Sequence, residues 1–301
     1  MENHGTAMVL ASFAADSLAL GAHWIYDTPR IEKEFGRVET FLKPKADSYH
    51  PSKDKGEFTH YGDQAFVLLE SLASAKGFEP DNFAGRWKTL FEDYAGYVDH
   101  ATKVTLHNLS QGKHPLDAGS SSEELAGASR IAPLVFFYRE NPDALAEAAR
   151  VQTKMTHNHP MVVDSAEFFA RVAFMVLKGR SPVTSMKKIA EEKFYGTPVL
   201  KWVTEGIASA GEESVPVIAR FGQSCHYGDA LPGVVHLIAT YEKNLKEALV
   251  QCVMAGGDSA GRGMITGMIL GAYLGRDGIP QEWIRELKQH EAIVRLLEAA
   301  L

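Results

Sequence analysis

Between residues 255 and 275 the chain reads AGGDSAGRGMITGMILGAYLG, and this stretch limits the fold more than any other. Gly263, Gly267, Gly271 and Gly275 recur every fourth residue, with Met264, Ile265, Met268, Ile269, Leu270 and Leu274 between them. That spacing puts the glycines on one face of a helix, where a second backbone can come close. Each glycine costs a helix interior roughly 1 kcal/mol against alanine, so a tightly packed partner must offset several such losses. The uninterrupted apolar run is about a dozen residues, short of the ~20 that a membrane span needs. The stretch therefore predicts a buried central helix. Gly256 and Gly257 break whatever precedes it, and Asp258 stands where it begins, so its first turn carries a carboxylate into a cleft.

Helical periodicity dominates the rest of the chain, and period-2 alternation is scarce. Residues 6–23 form one apolar, Ala-rich pattern. A long loop is expected from 26 to 61, punctuated by Pro29, Pro44 and Pro51, with the charged run Lys53 to Glu57 reading as solvated. Residues 63–76 read as a helix. So do residues 81–98, where Phe83, Trp87, Leu90, Phe91 and Tyr94 share a face. A polar loop at 107–119 precedes helices at 122–139, 142–154 and 161–177. Ser181-Pro182, Gly196-Thr197-Pro198 and Ser214-Val215-Pro216 each mark a helix start. Segments 230–240 and 243–254 lead into the glycine helix, and 280–299 closes the chain. No linker or low-complexity stretch divides it, so the reading is one all-α domain over 1–301.

Composition narrows the function. The 301 residues are 45% hydrophobic and carry a net charge of −7, with no basic run, which argues against a nucleic-acid partner. The N-terminal stretch lacks a positive region and has Asp16 inside its apolar part, so no signal peptide is expected. Cys225 and Cys252 give neither a zinc spacing nor a disulfide framework. These features predict a cytoplasmic protein without a membrane anchor.

Four acids, Glu57, Asp63, Asp229 and Asp258, fall at helix beginnings or in the loops before them; Asp16 and Asp27 belong to the first helix and the loop after it. Carboxylates drawn from distant helices into one cleft suit Mg²⁺ or acid–base work on a glycosidic bond. Each is equally placed to cap its own helix. His60-Tyr61-Gly62-Asp63 recurs as His226-Tyr227-Gly228-Asp229 with unmatched flanks, which reads as coincidence. Cys225-His226 supplies the residue types of a nucleophile–base couple, although neighbours in sequence seldom point the right way. His157 and His159 can line a cleft or brace a turn. Gly119 and Ser120 to Ser122 can donate to a diphosphate or form a turn before an N-cap. His23, Trp24 and Tyr26 can stack on a base or pack in the core.

Several of these segments resemble the ADP-ribosylglycohydrolases, and they do so in order along nearly the whole chain. Ala15-Asp16-Ser17-Leu18 is similar to the family's early Gly-Asp-Ala segment, and Tyr61-Gly62-Asp63-Gln64 falls where it has Thr-Asp-Asp-Thr. Residues 127–133 (GASRIAP) resemble its Ala-Met-Arg-Ile-Ala-Pro helix, and 156–160 (THNHP) its Thr-His-x-x-Pro turn. Residues 256–261 (GGDSAG) stand where it has Gly-Gly-Asp-Thr-Asp-Thr. The branch containing the jellyfish J-type crystallins and selenoprotein J looks nearest. The resemblance implies an orthogonal multi-helix bundle with two magnesium ions at its centre and an ADP-ribosylated or related small-molecule substrate.

This sequence departs from the family at its metal motifs. Only Asp63 remains in the first, beside Tyr61 and Gly62, and only Asp258 in the last, followed by Ala260 and Gly261. Asp16, Asp63 and Asp258 are the remaining candidate ligands, enough for one Mg²⁺ or none. Arg262, one turn after Asp258, is expected to fill part of the metal site by pairing Asp258 and Asp63, or to meet a substrate phosphate. The resemblance thus assigns catalysis to Asp63, Glu57 and Asp258, and substrate binding to Arg262, His157, Ser120, Gly119 and Tyr61. Two functions follow: hydrolysis of an N- or O-glycosidic bond to ribose, or an inactive nucleotide-binding or crystallin-like structural role.

Overall fold

The structure, a computed structural model, describes residues 2–299. Its helices are α1 (Glu2–Ala19), α2 (Thr28–Phe35), α3 (His60–Ala75), α4 (Pro80–Leu90), α5 (His100–Ser110), α6 (Ala126–Ser129), α7 (Ala132–Phe137), α8 (Pro142–Lys154) and α9 (Pro160–Leu177). The remainder are α10 (Pro182–Lys193), α11 (Pro198–Ala208), α12 (Ser214–Phe221), α13 (Tyr227–Thr240), α14 (Leu245–Met254), α15 (Ser259–Leu274), α16 (Gln281–Glu286) and α17 (His290–Glu298). Among the described residues there is no strand, only isolated bridges Ser120–His157 and Glu124–His226. The fold is all-α, as the periodicity predicts.

The partner that the glycine ladder demands is α1. A Cβ at Gly267 would lie 2.5 Å from the Ala11 carbonyl oxygen, and one at Gly271 would lie 2.7 Å from the Ala11 Cβ. Gly263 faces the Ala15 Cβ at 3.5 Å. Ala7, Ala11 and Ala15 thus form a second ladder of small residues, and the two helices run antiparallel with their backbones nearly touching. Both ladders are buried, together with Leu10, Leu18, Ile265 and Ile269. Burial of each such aliphatic chain contributes roughly 1.5–3 kcal/mol. Antiparallel packing brings the end of α1, which carries Asp16, to the start of α15, which carries Asp258.

The element boundaries depart from the periodicity in five places, each with a local cause. The 26–61 loop contains α2, whose start is capped by Asp27 accepting from the Arg30 amide; Pro29, read as a breaker, sits in the first turn where proline is tolerated. The 81–98 helix stops at Leu90, yet Trp87, Phe91 and Tyr94 keep stacking at 4.9 and 5.1 Å, so the aromatic pattern outlives the helix. The 107–119 loop begins inside α5, which Asp99 caps through the Thr102 amide at 2.6 Å. The 122–139 helix divides at Arg130, whose buried guanidinium reaches Gln64 and Thr156 on other elements. The closing helix breaks at Leu287, where Lys288 donates its amide to the Gly56 carbonyl at 3.0 Å. Gly56 has φ +79, and a Cβ there would lie 2.1 Å from the Glu286 carbonyl oxygen, so a glycine is required at that crossing.

The ladder gives a direct stability prediction. Gly267→Val should destabilise the protein by about 1–3 kcal/mol, because overpacking outweighs the gain in helix propensity. Gly85→Ala on α4, where nothing lies within 4 Å, should stabilise it by about 0.5–1 kcal/mol. Urea unfolding of both variants checks the pair.

Candidate functional site

At the joined ends of α1 and α15 lies a cluster of buried polar side chains, the hollow of this site. Gly256 and Gly257, at φ +70 and +63, turn the chain into α15; a Cβ on either would collide with the Ile25 or Gln223 carbonyl oxygen at 2.6 and 2.1 Å. These close approaches carry hydrogen bonds, with Gly257 donating to Ile25 O and Trp24 donating to Gly257 O. Trp24 is itself left-handed at φ +66, an uncommon state for a bulky residue. That turn places the Trp24 ring on His23, at 4.4 Å between centroids.

Asp258 caps α15 by accepting from the Gly261 amide at 3.3 Å, while its Oδ2 is buried and unpartnered. Burial raises its pKa to about 6 against the opposing influence of Arg262. His23 Nδ1 accepts from the Ala260 amide at 3.3 Å, so the neutral ring carries its proton on Nε2, 3.8 Å from Asp258 Oδ1. Burial, reinforced by His50 and His60, keeps His23 neutral. The Tyr61 hydroxyl is also buried and unpartnered. Burial drives its pKa far up, and Asp258, Cys225, Glu124 and Asp99 all lie within electrostatic reach.

A second group of side chains completes the wall. His50 Nε2 and His60 Nδ1 are 3.1 Å apart, and His60 Nε2 lies 3.3 Å from Asp99. Burial raises the Asp99 carboxyl, but His60 and the Thr102 amide outweigh it and hold the acid below the usual carboxylate range. Burial lowers His50 to about 3. Opposite, His157 Nε2 and Glu124 Oε2 face each other at 3.7 Å, both buried and unpartnered. A Cβ on Gly127 would strike the His157 ring at 2.8 Å, so glycine clears that position. Outside Glu124 a cleft of about 560 Å³ opens past Ser121, Ser122, Ser224, Cys225 and His226.

The structure redistributes the residues singled out from sequence. It brings Tyr61, Asp258, His157, His23 and Cys225 to the hollow. Burial pushes the Cys225 thiol well up, so it is no thiolate nucleophile. The Asp63 carboxylate accepts from Lys53 Nζ and the Tyr94 hydroxyl, each at 2.5 Å, and among the described residues no ion pair joins Asp63 to Arg262. His60 lies within electrostatic reach of both Asp63 and Asp258. Asp16 gives both oxygens to Thr59, taking the amide at 2.7 Å and the hydroxyl at 2.6 Å. Burial nonetheless raises it to about 7.

Other expectations need correction. Glu57 lies on the outer surface, accepting from the Asp54 amide at 2.7 Å and facing Lys288 at 3.4 Å. Arg262 is fully buried, but it donates to the Gln223 and Gly256 carbonyls instead of pairing an acid. Among the described residues no ion pair joins it to Asp258 or Asp63. Ser120 is a brace: its hydroxyl donates to Thr156 O at 2.7 Å. Gly119 is the close approach beside it, where a Cβ would lie 1.9 Å from Lys154 O. Asp27 caps α2, and Asp229 accepts from Ser224 at 2.6 Å. His50, Asp99, Glu124 and Lys53 were missed as site residues. Of these only Asp99 had a local signal, since Thr102 follows at cap spacing, and reading a helix up to residue 98 hid it.

A family model for the ADP-ribosylglycohydrolases matches residues 2–301. The chain belongs to the ADP-ribosylglycohydrolase family. It is 22% identical to crystallin J1A of Tripedalia cystophora, over 99% of this chain and 96% of that protein. It is 21% identical to the human ADP-ribosylhydrolase ARH3, over 88% of this chain and 84% of that one. A solved "ADP-ribosylglycohydrolase-related protein complex" superposes with a TM-score of 0.81, at 23% identity, over 99% of this chain and 97% of its own. No helix among the described residues is long and apolar enough to cross a membrane.

The magnesium centre implied by the family resemblance does not fit these side chains. Mg²⁺ wants near-octahedral oxygen ligation. Here Asp16 has both oxygens occupied, Asp63 is held by Lys53 and Tyr94 through Oδ2, and Asp258 has one unpartnered oxygen. Among the described residues no group of three or more His, Cys, Asp or Glu side chains is arranged to hold an ion.

The buried groups also set a pH dependence. Asp16 and Asp258 are raised in the fold, so the stability they favour is present below their unfolded value of 3.8 and is lost as pH rises toward 7 and 6. His23 and His50 are lowered from 6.5, so their contribution is present above 6.5 and is lost on acidification. The two trends oppose each other between pH 5 and 6.5. Removing one histidine should expose the acid trend: His50→Gln should gain about 1–2 kcal/mol on going from pH 7 to 5, while the wild type changes less. Urea unfolding across that range measures it.

Proposed function

We propose that the protein hydrolyses an N- or O-glycosidic bond to ribose in an ADP-ribosyl or related compound, with the sugar seated against Tyr61 and Asp258. One observation carries the reading. Asp258 Oδ2, His23 Nε2 and the Tyr61 hydroxyl are all buried without partners, and Glu124 and Cys225, within electrostatic reach of Tyr61, line an open cleft. Each such group costs about 1–3 kcal/mol unless something bonds to it, and a polyhydroxylated ribose supplies donors and acceptors together.

The chemistry follows from this chain's own residues. With a pKa of about 6, Asp258 is ionised at neutral pH yet basic enough to take a proton from water. Its charge beside the anomeric carbon stabilises the oxocarbenium character of the transition state. His23 Nε2–H lies 3.8 Å from the same carboxylate, beyond hydrogen-bond reach, and stays free to donate to the sugar. Arg262, one turn further along α15, biases Asp258 toward its charged form. Glu124 and His157, whose unpartnered atoms face each other at 3.7 Å, are the pair to which this reading gives protonation of the leaving group.

A second reading is favoured by Asp16, both of whose oxygens accept from Thr59, and by Asp63, which Lys53 pairs through Oδ2. In that reading the cleft binds the ribosyl compound without turnover.

Hydrolysis of ADP-ribosyl-arginine, ADP-ribosyl-serine and ADP-ribose derivatives, with Mg²⁺ and with EDTA, separates the two. Turnover should persist in EDTA and fall below about pH 6 as Asp258 protonates. Asp258→Asn should lower kcat by about 10²–10⁴-fold, with ADP-ribose affinity changed far less. Tight ADP-ribose binding with no turnover of any substrate by the wild type would establish the second reading.

A further inference from the structure

The loop at residues 50–57 delivers a lysine into the interior. Lys53 Nζ meets Asp63 Oδ2 at 2.5 Å, with only 16% and 17% of the two side chains exposed. The Tyr94 hydroxyl donates to the same oxygen, and the ammonium also lies over the Tyr94 ring at 5.4 Å. The loop is tied on both sides of Lys53. Its amide donates to His50 O at 3.1 Å, Ser52 Oγ donates to Ala95 O at 2.8 Å, and Gly56 is wedged against Glu286. A lysine on a fixed loop, half-desolvated and held by one carboxylate, is a placed charge and not a solvated one.

The other two acids also accept from protein groups, Asp16 from Thr59 and Asp258 from the Gly261 amide. A Cβ at Gly62 would lie 2.4 Å from Asp16 Oδ2, and a Cβ at Gly261 would lie 2.5 Å from Asp258 Oδ2. Each surviving carboxylate leans into the space that a side chain at the neighbouring glycine would need.

We infer that Lys53 is the built-in cation of the Asp63 site and that its ammonium takes the place of a divalent ion there. An ammonium supplies one positive charge and three donors to one carboxylate, and it cannot be removed by a chelator. The inference stands whether or not the cleft hydrolyses anything, because it concerns the charge partner of Asp63.

The experiment is Mn²⁺ titration of the full-length protein, followed by electron paramagnetic resonance and calorimetry. Wild type and Lys53→Arg should show no saturable site below millimolar Mn²⁺. Lys53→Met should bind Mn²⁺ about tenfold tighter or more, the scale set by removing one close opposite charge, and adding Asp63→Asn should abolish that gain. Unchanged affinity in a folded Lys53→Met, judged by its circular dichroism, overturns the assignment. Should Lys53→Met not fold, the wild type alone decides. Stoichiometric Mn²⁺ binding that Asp63→Asn removes overturns the inference, and its absence supports it.

Discussion

The near contact of the α1 and α15 backbones is what the rest of the molecule is arranged around. Glycines on one helix and alanines on the other let main chains approach where ordinary side chains would hold helices 8–10 Å apart. Because the helices are antiparallel, this approach fixes more than a core: it sets Asp16, His23 and Asp258 at one end. The N-terminus of α15 favours a carboxylate through its free amides and its dipole, and Asp258 occupies that position. The hollow thus follows from how closely two backbones can pack.

Collecting acids at one end creates an electrostatic problem, which this chain solves by several routes. Asp16 gives each oxygen a donor from Thr59 yet is still raised to about 7, so it holds a proton for much of the physiological range. Asp63 has Lys53 and Tyr94. Asp258 has a capping amide and the influence of Arg262. The histidines stay neutral, because protonating His23 or His50 would bury an unpaired charge. A divalent ion would solve the same problem in one step, but Asp16 has both oxygens on Thr59 and Asp63 already has Lys53.

The sequence carried the ladder, the cap at Asp258 and most helix starts, because these rest on spacing within one element. It misled where the deciding partner lies on another element. Lys53 stands in a run of charges that reads as solvated, and its partner Asp63 is ten residues away on α3. Arg262 was expected to pair Asp258 because the spacing is right, yet the guanidinium finds two carbonyls from the turns before and beside α15. Glu57 looked like a site acid until the crossing at Gly56 turned it toward Lys288. Motif letters told which ligands were absent, but not which way the remaining ones faced.

A structural role and a catalytic role place opposite demands on the same atoms. A protein selected only to be stable and soluble gains by satisfying every buried polar group, since each unpaired one costs on the order of 1–3 kcal/mol. Here Asp16 meets that demand fully. Asp258 Oδ2, His23 Nε2, the Tyr61 hydroxyl, Glu124 Oε2 and His157 Nε2 do not. Unpartnered buried atoms occur elsewhere too, as at Arg276 and Glu286, but this set includes Asp258, which is ionised at neutral pH and keeps one oxygen free. Strain of this kind persists where a ligand relieves it. Asp258 is thus the acid of the family's motifs that keeps a buried oxygen free for a ligand to meet.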